Sequence, residues 1–403
     1  MMKITAIAEL LRLKAACRPV SPKPSTVLML NALVIAIGVA LIATTLNDVF
    51  QVVVMPRATG RRYRISFYVW RVIWYVWPKV AWRLYAADSD RREDFLAVFA
   101  PLMLVSMLGL WVVLLIFGFA LVMWGMRSGI TPAHGSFGTM LYFAGTSLLT
   151  IGFGDVVGRS SAPRLVSVLA ALAGLSFLSI MTAFLFASFG SFQQRETFVV
   201  TVAARAGTPP SGVNLLAIAG YSLTREDLSP LMIDAQRWAA AVMESHLAYP
   251  MLAYFRSSHD DQSWIGTLGT LLDAATLLMT TVDGIRDGQA RIFYNVGRHA
   301  TRDLSRYFGV ETPQGSVGIE RQEFEHACDR LVAAGYALYD RDEAWQRFAN
   351  LRATYAPHLG AMASFFEIPP LQWIGDRSAL VVSTHGETSI KIHDRRPSDG
   401  ETS

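Results

Sequence analysis

Thr150-Ile151-Gly152-Phe153-Gly154-Asp155 is the stretch of this chain whose residue types and spacing can do chemistry. Gly152 and Gly154 can reach backbone angles closed to other residues, so successive carbonyls can all point at one axis. Thr150 can supply a further ring of hydroxyl oxygens at the inner mouth, and Asp155 negative charge at the outer one. Four such strands around the axis can replace the hydration shell of a potassium ion.

A lining of this kind has to be held in place. Irregular backbone at membrane depth is tolerated only where it lines a wet cavity. The stretch sits between two runs without a charged residue, Phe95 to Met126 and Leu165 to Gln194. Both are long enough to span a bilayer. Ser136 to Thr146 reads as a short helix carrying Met140, Leu141, Tyr142 and Phe143, and Arg127 to Gly135 as an exit loop. After Asp155 comes a helix-breaking loop with Pro163, then Arg164 and the second run.

Helix, Gly-rich lining and helix in that order resemble the pore module of potassium channels. The lining is similar to their selectivity filter in the Phe form common among two-pore-domain and related bacterial channels. The resemblance covers about Phe95 to Gln193, about a quarter of the chain. It implies that Thr150, Ile151, Gly152, Phe153, Gly154 and Asp155 form the ion filter, with K+ as the transported ion and no cofactor. It also implies a homotetramer, since each subunit supplies one filter strand. Gly174 falls 22 residues after Gly152, the spacing of the hinge glycine in two-helix channels of this family. Leu149, Phe153 and Gly158 depart from the family's usual threonine, tyrosine and proline.

Composition agrees with a membrane protein that has a soluble part. Of 403 residues, 52% are hydrophobic and 17% charged, and the net charge of +4 is too small to imply nucleic acid. Cys17 and Cys328 lie far apart without metal spacing, so a disulfide framework is excluded. Lys3, Arg12, Lys14, Arg18 and Lys23 precede a charge-free run, Thr26 to Leu46, which reads as a retained membrane helix.

Arg57 to Arg92 is the second unusual stretch. Arg61, Arg64, Arg71, Lys79 and Arg83 recur at helical spacing, and Trp70, Trp74, Trp77 and Trp82 fall among them. Arg and Trp together favour the headgroup layer, so the reading is a basic stripe on an interfacial helix, facing anionic lipid headgroups, with Pro78 breaking or kinking it. If the filter's Asp end faces outside, residues 47–92 are cytoplasmic, and their nine Lys and Arg agree with the positive-inside rule. The first helix then starts outside.

After Arg195 the chain reads as an ordinary soluble protein. Thr197 to Val202 reads as a short strand, and helical spacing then dominates. Leu231, Ala235, Trp238 and Val242 share a face; so do Trp264, Leu268, Leu271, Leu272, Ala275, Leu278, Met279 and Val282. Phe324, Ala327, Cys328, Leu331 and Val332 make a third face, and Trp345, Phe348, Leu351 and Tyr355 a fourth. Glu323 and His326 form a Glu-x-x-His pair, but no second copy completes a di-iron site. No nucleophile elbow, phosphate loop or metal motif is present, which gives no warrant for an enzyme.

The expected fold class is an all-α membrane protein. Its expected parts are an N-terminal segment (1–56), an interfacial helix (57–92), the pore module (93–194), a cytoplasmic helical domain (195–375) and a polar tail (376–403). The expected function is a homotetrameric potassium channel of the inner (plasma) membrane, whose helical domain regulates or assembles it, with room there for a ligand or protein partner. A less selective cation channel and a non-conducting membrane scaffold are the alternatives.

Overall fold

The computed structural model describes residues 24–53, 65–85, 89–132, 135–207, 210–259, 262–310 and 318–368. The chain is an all-α membrane protein. Three helices are long and apolar enough to cross a membrane: Ser25–Val53, Asp90–Gly125 and Ser161–Ala206. The chain divides into two compact units, one of Met1–Gln51 with Ser106–Thr182, the other of Val52–Val105 with Ala183–Ser403. These boundaries differ from those drawn on composition. The stretch assigned to a separate interfacial helix clusters with the helical domain.

In the first unit, helix α1 (Pro24–Val53) packs antiparallel to the helix in Phe99–Gly125. The register is set by small residues. A Cβ on Gly38 would lie 2.7 Å from the Gly118 carbonyl oxygen, and one on Gly125 2.4 Å from Ile35. Close approach of this kind is how helices associate in lipid, where burial alone gives no drive. Hydrogen bonds clamp both ends of the pair: Arg127 donates to Asn31 Oδ1 at 2.9 Å, and the buried Trp111 indole to Asp48 Oδ2 at 2.8 Å. The start of α1 therefore lies at the same end as the loop after Gly125.

In the second unit, α2 (Ile65–Leu84) runs on through Pro78. Helices α3 (Ser89–Ala97) and α4 (Phe99–Gly125) meet at Val98, through which the i to i−4 ladder continues, so together they make the one long run Asp90–Gly125. Helix α5 (Phe137–Leu148) belongs to the first unit, and α6 (Ser161–Ala206) is continuous for 46 residues. Thr197 to Val202, expected as a strand, are helical within α6: each peptide continues the i to i−4 ladder, which overrides the β-branched preference of Thr197, Val199 and Val200. Pro163, expected in a loop, is in the first turn of α6, where a missing N–H costs nothing.

The remaining helices are α7 (Gly212–Tyr221), α8 (Leu228–Ala248), α9 (Trp264–Thr280), α10 (Gly288–Phe308), α11 (Arg321–Ala333), α12 (Arg341–Arg352) and α13 (Ala356–Phe365). Apolar all round, α9 is the centre of the bundle, with α7, α8, α10, α12 and α13 against it. Its one carboxylate, Asp273, is fully buried and paired with Arg352 (Nε to Oδ1 2.9 Å) and the Tyr355 hydroxyl (2.6 Å). The four faces expected from periodicity line this core, except that Val332 is half exposed.

Candidate functional site

The end of α5 and the seven residues after it form the site. Ser136 caps the start of α5, accepting from the Thr139 amide, and Leu149 ends it. The backbone then alternates. Thr150, Gly152 and Gly154 have φ of +58°, +58° and +84°, whereas Ile151 and Phe153 keep negative φ. Alternating the hand of successive residues turns their peptide planes the same way, so amides gather on one side and carbonyls on the other. The amides of Ile151 and Gly152 both point back to the Thr146 carbonyl on α5, at 2.9 and 3.3 Å. That leaves the opposite side of the strand to carbonyl oxygens. Glycine adopts these angles freely; Thr150 does so at a cost of about 1–3 kcal/mol. Its hydroxyl donates to the Leu149 carbonyl at 2.7 Å.

The outer end is anchored by α5 as well. The Tyr142 hydroxyl donates to Asp155 Oδ1 at 3.1 Å, and the Val156 amide donates to the same oxygen at 3.1 Å. The Tyr142 and Phe153 rings are parallel, with centroids 6.3 Å apart. The hydroxyl that Phe153 lacks is thus supplied by the supporting helix. Beyond Asp155, Val157–Gly158 pairs antiparallel with Ile130–Thr131, and the Arg164 guanidinium donates to the Gly158 carbonyl at 2.9 Å. Gly158 is tight, since a Cβ there would meet the Arg164 amide nitrogen at 2.9 Å.

Thr150 to Asp155, the stretch singled out in the sequence, are all six exposed in the single chain. Sequence reasoning missed Thr146 and Tyr142, which orient that stretch. The sequence signal for Tyr142 was an aromatic one and a half turns before the end of an otherwise apolar helix. Gly174 was expected as a hinge. It lies where α6 crosses the end of α5, and a Cβ there would fall 1.8 Å from the Leu148 carbonyl oxygen. Close packing gives a complete account of its lack of a side chain.

The basic stripe divides. Arg71, Lys79 and Arg83 are exposed on α2; Arg61 and Arg64 lie outside the described residues. Three of the tryptophans among them, Trp70, Trp74 and Trp77, pack against protein. Trp74 is buried with its ring 4.6 Å from Phe99 and 4.8 Å from Tyr254, and its indole donates to the Phe365 carbonyl at 3.2 Å. Trp77 stacks on Phe95 and donates to its carbonyl. Trp82 remains exposed. Three aromatic rings, Phe95, Phe99 and Tyr254, thus anchor the face that composition alone assigns to the headgroup layer.

Elsewhere, Glu323 serves structure: with Glu320 it closes a capping box at the start of α11. Among the described residues no cluster of His, Cys, Asp or Glu suits a metal ion. Burial pushes the Cys328 thiol up to about 12, which keeps it protonated and unreactive. The polar tail from Asp376 lies outside the described residues, as does Cys17.

Residues 107–190 match the family model described as "Ion channel", which takes in most of α4, all of α5, the Gly-rich strand and most of α6. The chain is also similar to the uncharacterized membrane protein YdjJ of Bacillus subtilis, at 22% identity over 200 residues. That likeness covers 49% of this chain and 58% of the relative, so the chain spans little more than half of the relative's length. No solved structure matches. A segment similar to ion channels, three helices long and apolar enough to cross a membrane and a distant membrane-protein relative together mark the chain as a membrane protein that carries an ion-channel-like segment.

Proposed function

We propose that the chain is a potassium-selective channel in which four copies surround one axis, each contributing Thr150 to Asp155 to the filter. The observation that carries this reading is the alternation of backbone hand at Thr150, Gly152 and Gly154, with two amides turned onto Thr146. Such a strand offers a row of carbonyl oxygens and no side-chain charge at the dehydration step, which suits a weakly hydrated monovalent cation. Exposure of the whole strand in one chain fits a lining completed by its neighbours. Asp155 adds negative charge at the outer mouth.

In this reading the filter mouth and the start of α1 face outside. The helical domain is then cytoplasmic, in an inner (plasma) membrane. Arg71, Lys79 and Arg83 are available to anionic headgroups, a role testable by vesicle binding of the full chain before and after their neutralisation.

Flux from liposomes holding the purified chain tests the central reading. Potassium should pass and sodium should not. Gly152→Ala should abolish flux without dissociating the assembly, because its φ of +58° is one a side chain opposes, and every subunit carries the change. Thr150→Ala should be milder, with selectivity falling before conduction. Equal potassium flux by parent and Gly152→Ala removes the filter from this stretch.

A further inference from the structure

The second half of α6 has two sides. One packs into its own chain: Phe184, Ser188, Arg195, Glu196, Val199, Val202, Ala203 and Ala206 are buried. Arg195 fixes that side, donating to the Leu252 carbonyl at 2.7 Å, the Phe255 carbonyl at 2.9 Å and Glu196 at 2.8 Å. The other side is bare. At about 100° per residue, Thr182, Phe186, Phe189, Gln193, Thr197, Val200 and Ala204 fall on one edge of a free arc. Ala183, Ala187, Gly190, Gln194 and Thr201 fall on the other. All are exposed, Phe186 at 75% and Phe189 at 57%.

The composition of this arc rules against its simplest covers. It carries no charge before Arg205, unlike a face washed by water. It carries Gln193 and Gln194, whose side-chain amides lipid would leave without partners, whereas the Thr197 and Thr201 hydroxyls are satisfied by the Gln193 and Thr197 carbonyls of the helix itself. Its two edges complement one another instead. One presents the bulk of Phe186 and Phe189, the other the small side of Ala183, Ala187 and Gly190, and a Cβ on Gly190 would meet nothing within 4 Å. In a closed ring each interface is heterologous, with one edge of a subunit against the other edge of the next. Knobs then enter holes of the neighbouring copy.

We propose that this arc is a seam along which copies of this same chain meet, running beyond the pore module as far as Ala204. The inference rests on the proposed channel reading for the closed ring. Spacing on the bulky edge, from Thr182 to Ala204, is 4-3-4-4-3-4, two repeats of 11 residues. A repeat of that length gives a straight to right-handed bundle, and not the left-handed coil of a seven-residue repeat.

The test is oxidative cross-linking of the full chain in native membranes, in a Cys17→Ser background, read on a non-reducing gel. Gln193→Cys with Gly190→Cys, Thr197→Cys with Gln194→Cys and Val200→Cys with Thr201→Cys, each pair placing one cysteine on each edge, should shift the chain from monomer to covalent dimer and higher forms. Ser188→Cys and Ser191→Cys, near-isosteric changes off the seam, should not. Cross-linking in none of the three pairs, as a lipid-covered face would give, or equally in all five variants, overturns the seam. Potassium flux is measured on the same preparations. Conduction without cross-links sinks the seam alone; cross-links in a parent that does not conduct sink the channel reading and leave the seam standing.

Discussion

Replacing Gly174 by alanine puts a methyl carbon 1.8 Å from the Leu148 carbonyl oxygen. Real Cβ atoms do not approach below 3.0 Å, so α6 and the end of α5 must part by at least 1.2 Å (3.0 minus 1.8). The obstructing atom is backbone at a helix end, so no side chain can swing away to relieve it. Overpacking of this kind costs about 1–3 kcal/mol, and a backbone clash belongs at the upper end. Exchanging glycine for alanine inside a helix returns about 1 kcal/mol of propensity. The net loss is then about 2 kcal/mol per chain. Gly109 on α4 is the control: a Cβ there meets nothing within 4 Å, so Gly109→Ala keeps the propensity gain alone. The two variants should differ by about 3 kcal/mol in denaturation of the full chain in detergent. Displacing Leu148 also moves Thr146, on which the Ile151 and Gly152 amides hang, so on the proposed channel reading Gly174→Ala should lose potassium flux as well. A hinge makes a different forecast, namely reduced opening in a protein of unchanged stability. Gly174→Ala as stable as Gly109→Ala would refute the packing argument.

Three further outcomes follow from the second unit. Trp74→Ala should destabilise the full chain by about 3–5 kcal/mol because it empties a buried aromatic site, whereas Trp82→Ala, at an exposed position, should cost far less; equal effects in a melt would mean that α2 is not docked. Arg352→Met leaves the Asp273 carboxylate buried and uncompensated, so it should cost about 3–5 kcal/mol, with much of the loss recovered in the Asp273→Asn, Arg352→Met double variant when both are unfolded in urea. Burial, and next the Arg195 charge, hold the His246 imidazole well below its ordinary value. The folded chain therefore binds fewer protons than the unfolded one, so stability is complete above about pH 6.5 and declines as pH falls below it. His358 is lowered too, by burial and by Arg302 and Arg306, and acts in the same direction. Denaturation midpoints across that range should show the decline, and His246→Gln should make it shallower.

The backbone of the Gly-rich strand was legible because its signal is local: Gly152 and Gly154 take the positive φ that glycine permits, whereas the positive φ of Thr150 was not marked by its residue type. The core faces of α8, α9, α11 and α12 were legible because burial follows helical period. What escaped depends on distant partners. Composition shows that Trp74 wants one apolar and one polar neighbour, but headgroups and the Phe365 carbonyl satisfy that equally, 291 residues apart in sequence. Gly174 shows only that no side chain fits, not whether the reason is bending or contact. The Arg352–Asp273 pair joins residues 79 apart, and no local pattern marks either as buried.

The unbroken run of α6 has a mechanical consequence. Forty-six residues of α-helix make a rod about 69 Å long. A linker of glycine or serine would absorb movement between its ends; a rod acts as a lever. Tilting it by about 5° around Ser161 carries Ala206 through about 6 Å, and the reverse transmission holds with the same ratio. Turning it about its own axis by one residue's worth of arc, about 100°, would bring an entirely different set of side chains to any given side. Arg195, bonded to the Leu252 and Phe255 carbonyls, ties the second half of that rod to the helical domain, so the domain grips the lever and not a loop.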